Sequence, residues 1–206
     1  MAPAPSATAA LRSTPLATTV VGSYSVPEWL GRLKTDYYQR RISAHHLDEI
    51  HEVAIKAALK DQELAGVDIV SDGELRRDND IDYLLTRIPG VEIPHRAKTD
   101  YYDYYDAQVR GPLAEAAAMS PGLAADFAFT REQTGHPIKF SFTGPFSLSR
   151  RIRDTGYPDP ADLVRALARK LNAQARTWLR PARTCCRSMI RSWPATPNRW
   201  TWRSRR

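Results

Sequence analysis

The sequence predicts an α/β fold in which parallel strands are joined by helical crossovers. Three observations carry that expectation. Short apolar, β-branched runs alternate with longer stretches of helical periodicity, and repeated strand-then-helix order implies a parallel sheet. Three of the runs end in small or acidic residues: Gly22-Ser23, Asp72-Gly73-Glu74 and Thr143-Gly144-Pro145. At 206 residues the chain is long enough for one domain with a sizeable core.

Taken in order, residues 1–15 (MAPAPSATAALRSTP) are rich in Ala, Pro, Ser and Thr and lack the apolar segment of a secretory signal. They read as a disordered lead-in to a cytoplasmic protein. No apolar run approaches the ~18 residues of a membrane span. Leu16 to Val21 is expected to be a short buried strand ending at Gly22-Ser23, where glycine frees the backbone and serine offers a hydroxyl and an amide. Tyr24 to Arg41 is aromatic and basic, and Pro27 and Trp29 suggest a packed loop or short helix. Ser43 suits a helix N-cap. Beyond it Leu47, Ile50, Ala54, Ala57, Ala58 and Leu64 recur at helical spacing. His45, His46 and His51 fall on this helix without the carboxylate–histidine motif of a metal site, so they are not assigned as ligands.

The stretch from Leu64 to Asn79 (LAGVDIVSDGELRRDN) organises the rest. It contains a helix end at Gly66, a short strand through Val67, Ile69 and Val70, and then Asp72, Gly73 and Glu74. Carboxylates at the C-terminal end of such a strand are where α/β enzymes keep their chemistry, and glycine lets backbone approach a ligand. The bland alternative is a solvated acidic loop. Leu75 to Arg110, including YYDYYDAQVRG, suggests a β-hairpin excursion rather than another helix. Its tyrosines could line a pocket for a flat, anionic ligand together with Arg76, Arg77, Arg96 and Arg110, or could belong to a solvated hairpin. Leu123 to Thr134 is a helix stopped by Gly135 and Pro137, Ile138 to Phe142 a strand, and Asp159 or Pro160 opens a helix to about Arg176.

The formal net charge is +7, and it is not evenly spread. Residues 177–206 hold eight arginines and no acid, four of the five tryptophans and both cysteines, leaving 22 basic and 23 acidic residues in 1–176. The adjacent Cys185 and Cys186 make a poor disulfide framework and lack zinc-site spacing.

Three stretches, TTVVGSYSVPEWL at 18–30, AGVDIVSDGELRRDN at 65–79 and FSFTGPFSL at 140–148, together resemble the catalytic domain of cobalamin-independent methionine synthase and its shorter archaeal-type relatives. The resemblance covers about residues 16–176. It implies a partial (β/α)8 TIM barrel, roughly the first three βα units, with the hairpin inserted after strand 2. It also implies the family's chemistry: a methyl group passes from a methylated folate to the thiol of homocysteine, giving methionine. Zinc is the family's cofactor; it holds the thiol as thiolate, which is the nucleophile. The family's glycine-serine falls on Gly22 and Ser23, with Val21 before them, and its glutamate falls on Glu74. These four are the candidate homocysteine-binding residues, with Glu74 accepting a hydrogen bond from the substrate ammonium. The hairpin and the Thr143-Gly144-Pro145 loop correspond to a region near the folate, without individual contacts assigned. The family's zinc ligands lie on later strands, and Cys185-Cys186 matches neither their spacing nor their flanks. No catalytic residue and no metal ligand is therefore assigned, and negligible methyl transfer is expected. A neighbouring reading is another zinc-dependent thiol alkyltransferase of the same superfamily.

After Arg176 the family pattern calls for a helix end, a turn, a strand and an acid. Back-translating 177–206 with GC-rich codons and reading two nucleotides later can give LAAAGADLLQIDDPVLAGYPEQVDLAVEA, which restores that pattern and resembles the family's QIDEP segment. Arginine, tryptophan and cysteine without acids are what misread GC-rich codons produce. Residues 177–206 are thus expected to be a frameshifted, disordered basic tail. The competing reading is a genuine nucleic-acid-binding tail, arginine on phosphates and tryptophan on bases; specific nucleic-acid binding is not expected. An open part-barrel would leave an unpaired edge, which predicts marginal stability or association.

Overall fold

A computed structural model describes residues 16–95, 98, 100, 101, 103–114, 119 and 122–179. Three extended segments run parallel: Thr19 pairs with Ile69, and Val70 with Ile138. Ile69 N–H donates to Thr18 C=O at 3.0 Å, Val70 N–H to Pro137 C=O at 3.0 Å, and Lys139 N–H to Val70 C=O at 2.8 Å. The segment that runs into Asp72 is therefore central, and Val70 is fully buried. A separate parallel pair joins β1 (Ala107–Val109) to β2 (Ile152–Asp154), with Ala107 opposite Ile152. The result is a mixed α/β fold with a small parallel sheet.

The predicted strand at Leu16–Val21 is extended but not buried: Leu16 is 86% and Val21 91% exposed. Among the described residues it pairs only on its Ile69 side, so its apolar side chains lack a second neighbour to pack on. Polar anchors hold it. The Asp68 carboxylate accepts from the Thr18 amide at 2.7 Å and the Thr18 hydroxyl at 2.8 Å, and the Lys139 ammonium donates to Val20 C=O. The same two Thr18 bonds hold the Asp68 carboxyl below its usual range.

Two helices cover the central segment. The aromatic, basic connection forms α1 (Glu28–Tyr38), burying Leu30 and Lys34 one turn apart. The helix predicted after Ser43 is α2 (Ala44–Leu64), and the Ser43 hydroxyl accepts from the His46 amide at 3.1 Å. Its buried positions, Leu47, His51, Ala54, Ile55, Ala58, Leu59 and Gln62, form one stripe of helical period. Ala54, Ile55, Ala58 and Leu59 pack with Leu30, Val70 and Leu75 in one core cluster. Gln62 fixes the register of helix on strand: its Nε2 donates to Ser71 C=O and its Oε1 accepts from Ser71 N–H, each at 2.9 Å.

The region 75–110 departs from the expected hairpin. It contains a short helix, α3 (Asp82–Leu85), and a single antiparallel bridge, Glu92 to Gln108, while Ala107–Val109 pairs in parallel with Ile152–Asp154. Leu84, Leu85 and Ile88 are all buried at helical spacing, and burying each stabilises by about 1.5–3 kcal/mol. That burial favours helix over strand at this end of the excursion, while the segment after the tyrosines takes Ile152–Asp154 as its partner. The Asp82 carboxylate also accepts from Asn79 Nδ2 at 3.0 Å and Tyr105 N–H at 3.1 Å, tying the two ends of the excursion together.

The second core joins α4 (Gly122–Glu132), α5 (Pro145–Ser149) and α6 (Pro160–Leu179) to the sheet. Leu123, Phe127, Leu148, Leu163, Leu167 and Leu171 pack with Val109 and Ile138. The sequence pattern places α4 and α6 but gives no sign of α5 or β2, which are only five and three residues long. No helix among the described residues is long and apolar enough to cross a membrane.

Candidate functional site

The ends of the three extended segments are linked by hydrogen bonds. Tyr24 N–H donates to Gly73 C=O at 2.9 Å, joining the residues after Gly22-Ser23 to the acidic turn. The Thr143 hydroxyl donates to Asp80 C=O at 2.6 Å, joining the third segment to the loop beyond that turn. The acidic turn also braces itself. Asp72 Oδ1 accepts from Glu74 N–H at 3.0 Å, and the Ser71 hydroxyl accepts from Gly73 N–H at 3.2 Å.

Gly22, Gly73 and Glu74 all have left-handed backbones, with φ of 78°, 67° and 60°. At Gly73 a Cβ would lie 2.7 Å from Tyr24 Cβ, so both space and conformation demand glycine; at Gly22 a Cβ would meet nothing within 4 Å, and only conformation does. Glu74 is the exceptional case, a long side chain held in a conformation that such residues rarely adopt.

Of the four predicted site residues, Val21, Gly22 and Ser23 are exposed and Glu74 is partly buried. The Tyr24–Gly73 bond brings their two segments together. Sequence reasoning missed the group behind Glu74. The buried Arg77 sits with Nη1 3.1 Å from Glu74 Oε2 and Nη2 3.5 Å from Asp72 Oδ2. Two carboxylates thus share one guanidinium, Asp72 buried and Glu74 partly so. Burial raises both carboxyl groups above their usual range, and the Arg77 charge opposes that rise without cancelling it. The dense alternation of acid and base in DGELRRDNDID was the available signal.

Further charges lie under this turn. Lys34 is fully buried; its ammonium donates to Arg77 C=O at 2.8 Å and lies 3.7 Å from Asp78. Burial lowers its pKa to about 8 despite Asp78. The Tyr38 hydroxyl donates to Asp78, and Lys98 pairs with Asp82 at 2.7 Å. His51 is buried beside this group, and burial together with the Lys34 charge lowers its pKa to about 3.

The proposed pocket of tyrosines with Arg76, Arg77, Arg96 and Arg110 is not what the structure forms. Arg76 is committed to Asp48, Glu52 and Asp126, Arg77 to Asp72 and Glu74, and Arg110 pairs with Glu92 at the surface. Arg96 lies outside the described residues. Acids on α2 and α4 capture Arg76, and acids of its own turn capture Arg77. Tyr104 and Tyr105 instead line an open cleft of about 610 Å³ with Arg150, Arg151 and Arg153. The Arg151 guanidinium stacks 4.1 Å from the Tyr104 ring centre. A second cleft, of about 560 Å³, lies beside α1. Neither is lined by Val21, Gly22, Ser23 or Glu74.

His45 and His46 flank Glu49 on the surface of α2. Among the described residues no three of His, Cys, Asp and Glu come together in a group that could hold a metal ion. Cys185 and Cys186 lie outside the described residues.

A family model described as the cobalamin-independent synthase catalytic domain matches residues 16–167. Methionine synthase of Sulfurisphaera tokodaii is 30% identical over 162 residues, covering 77% of this chain and 47% of that protein. Methionine synthase of Saccharolobus solfataricus is 30% identical over 162 residues, covering 77% and 48%. The chain spans about half the length of the curated relatives it matches. Among solved structures, the B12-independent methionine synthase of Shewanella sp. W3-18-1, in complex with selenomethionine, superposes with a TM-score of 0.64 at 26% identity, covering 80% of this chain and 48% of that one. A structure from Listeria monocytogenes, at 22% identity and a TM-score of 0.61, covers 81% and 49% and supports the fold alone.

Proposed function

Because the chain belongs to the cobalamin-independent synthase catalytic-domain family, we propose that residues 16–176 are the amino-acid-gripping part of a homocysteine S-methyltransferase. In this reading they form the first three βα units of a (β/α)8 barrel. The parallel pairing of three segments in chain order supports that geometry, since barrel strands are neighbours in sequence order. Homocysteine is the thiol substrate and a methylated folate the methyl donor. The Shewanella relative's complex with selenomethionine supports an amino-acid ligand of that shape.

The observation that carries the proposal is the Tyr24–Gly73 hydrogen bond, which sets Gly22-Ser23 beside the turn that bears Glu74. An exposed backbone and hydroxyl at Ser23, with a carboxylate at Glu74, suit the two charged ends of an amino acid. Glu74 accepts from the ammonium; Ser23 and the freed backbone at Gly22 hold the other end.

The family implies zinc. The described residues do not fit it, because they offer no three ligands in one place. No step is routed through the metal, and Val21, Gly22, Ser23 and Glu74 are assigned to binding alone. The compositional break after Arg176 supports a change of reading frame there; resequencing the gene across codons 170–180 tests it. The cytoplasm is the proposed location.

Isothermal titration of the whole chain with L-homocysteine and with L-methionine tests the proposal. Saturable binding that weakens by about tenfold or more in Glu74→Gln is expected. Absence of binding by the wild-type chain overturns the reading. In an assay with zinc, homocysteine and methylfolate, no turnover above background is expected.

A further inference from the structure

We propose that Arg77 is the positioning residue that fixes the Glu74 carboxylate for an amino-acid ammonium, with Asp72 as the competing carboxylate; this rests on the homocysteine reading above.

Geometry carries the inference. Glu74 stands on a left-handed backbone, a conformation that persists where surrounding contacts hold the residue in place. Arg77 supplies such a contact from three positions along. Its Nη1 lies 3.1 Å from Glu74 Oε2 and also donates to Ser141 C=O at 2.6 Å. One nitrogen thus ties the acid of the second segment to the backbone of the third. Nη2 reaches Asp72 at 3.5 Å, and the guanidinium stacks 4.9 Å from the Phe140 ring centre. The main chain of Arg77 is held as well, its carbonyl accepting from the buried Lys34 ammonium at 2.8 Å.

The charges around Glu74 give this brace a second consequence. Arg77, Asp72 and Asp80 act on it, one cation against two other acids. Burial favours the protonated carboxyl, and Arg77 opposes protonation. A neutral Glu74 cannot offer its charge to an ammonium. Arg77 therefore sets both where the carboxylate sits and the pH range in which it is an acceptor. Lysine keeps a charge but lacks the planar fork by which one nitrogen serves Ser141 and Glu74 and the other reaches Asp72.

The test uses the full chain, L-methionine as the titrant from pH 4 to 8, and carbon-13 NMR of labelled glutamate carboxyl groups. Arg77→Lys is expected to weaken methionine binding by about tenfold or more, the usual effect of losing a charge-assisted hydrogen bond. It is also expected to move the acid-side loss of binding, and the Glu74 carboxyl titration, to higher pH. Arg77→Gln should do both more strongly; if it does not fold, the lysine variant decides alone. A folded Arg77→Lys chain with wild-type affinity and an unmoved Glu74 titration overturns the inference. So does a loss of thermal stability with an unchanged pH profile, which would mark a merely structural arginine. Failure of the wild-type chain to bind methionine overturns the homocysteine reading instead, so the two failures are told apart.

Discussion

The amide of Tyr24 donates to the carbonyl of Gly73 at 2.9 Å, and the Tyr24 side chain fills the space that a Cβ at position 73 would need. A hydrogen bond and a close contact between the same two residues thus set how near the first and second segment ends can come. Everything proposed for Ser23 and Glu74 depends on that spacing.

Gly73→Ala is expected to destabilise the protein by about 1–3 kcal/mol, because it adds a clash at 2.7 Å to a left-handed backbone. Gly22→Ala carries only the conformational cost, roughly 1–2 kcal/mol, since nothing lies within 4 Å. Urea denaturation midpoints of the two variants, measured side by side, check the order.

Glu74→Gln keeps the shape of the side chain and removes its charge. Methionine affinity at pH 8 is expected to fall by roughly tenfold or more, as for loss of a hydrogen bond to a charged group. Calorimetric titration reads it directly, and an unchanged affinity would take Glu74 out of the site.

His51 imposes a pH dependence on stability. Its folded pKa is about 3, below the ordinary 6.5, so the unfolded chain binds the proton more readily. The stabilisation is complete above pH 6.5 and is lost as pH falls toward 3. His51→Leu should flatten the stability profile in that window by up to one proton, about 1.4 kcal/mol per pH unit. Denaturation midpoints from pH 4 to 7 test this.

Lys34 acts at the other end of the scale. Its pKa falls from 10.5 to about 8, so its contribution to stability grows as pH rises from 8 through 10.5. At neutral pH the charged pair with Asp78 is buried on the lysine side. Lys34→Met leaves the Arg77 carbonyl without its donor and leaves Asp78 with the Tyr38 hydroxyl and Lys98, and should cost about 1–3 kcal/mol. Adding Asp78→Asn should recover part of the loss in a double-mutant cycle followed by urea denaturation.

The sequence was most informative where one strong local rule acts. Ser43 caps α2, and the apolar period beyond it picks out the buried Leu47, Ala54 and Ala58, whereas Ala57 and Leu64 of the same pattern are exposed and Ile55 and Leu59 complete the stripe instead. It was least informative where long-range partners decide. Val21 is apolar enough for a core and yet is 91% exposed, because its segment has a ladder neighbour on only one side among the described residues. The tyrosine-rich excursion looked like a hairpin, but its strand found a parallel partner in Ile152–Asp154, about forty-five residues further along.

By itself, the sequence determined the alternation of strand and helix, the positions of α2, α4 and α6, the family, and the four residues nominated to hold an amino acid. Those follow from local periodicity, capping and motif, which are written in consecutive residues. Only the tertiary structure decided that Arg77 lies between Asp72 and Glu74, that Arg76 is committed to Asp48, Glu52 and Asp126, and that Lys34 stands beneath them without solvent. The ionisation of a buried acid depends on how much water it has lost and which charges surround it, and both are set by residues that meet only when the chain is folded.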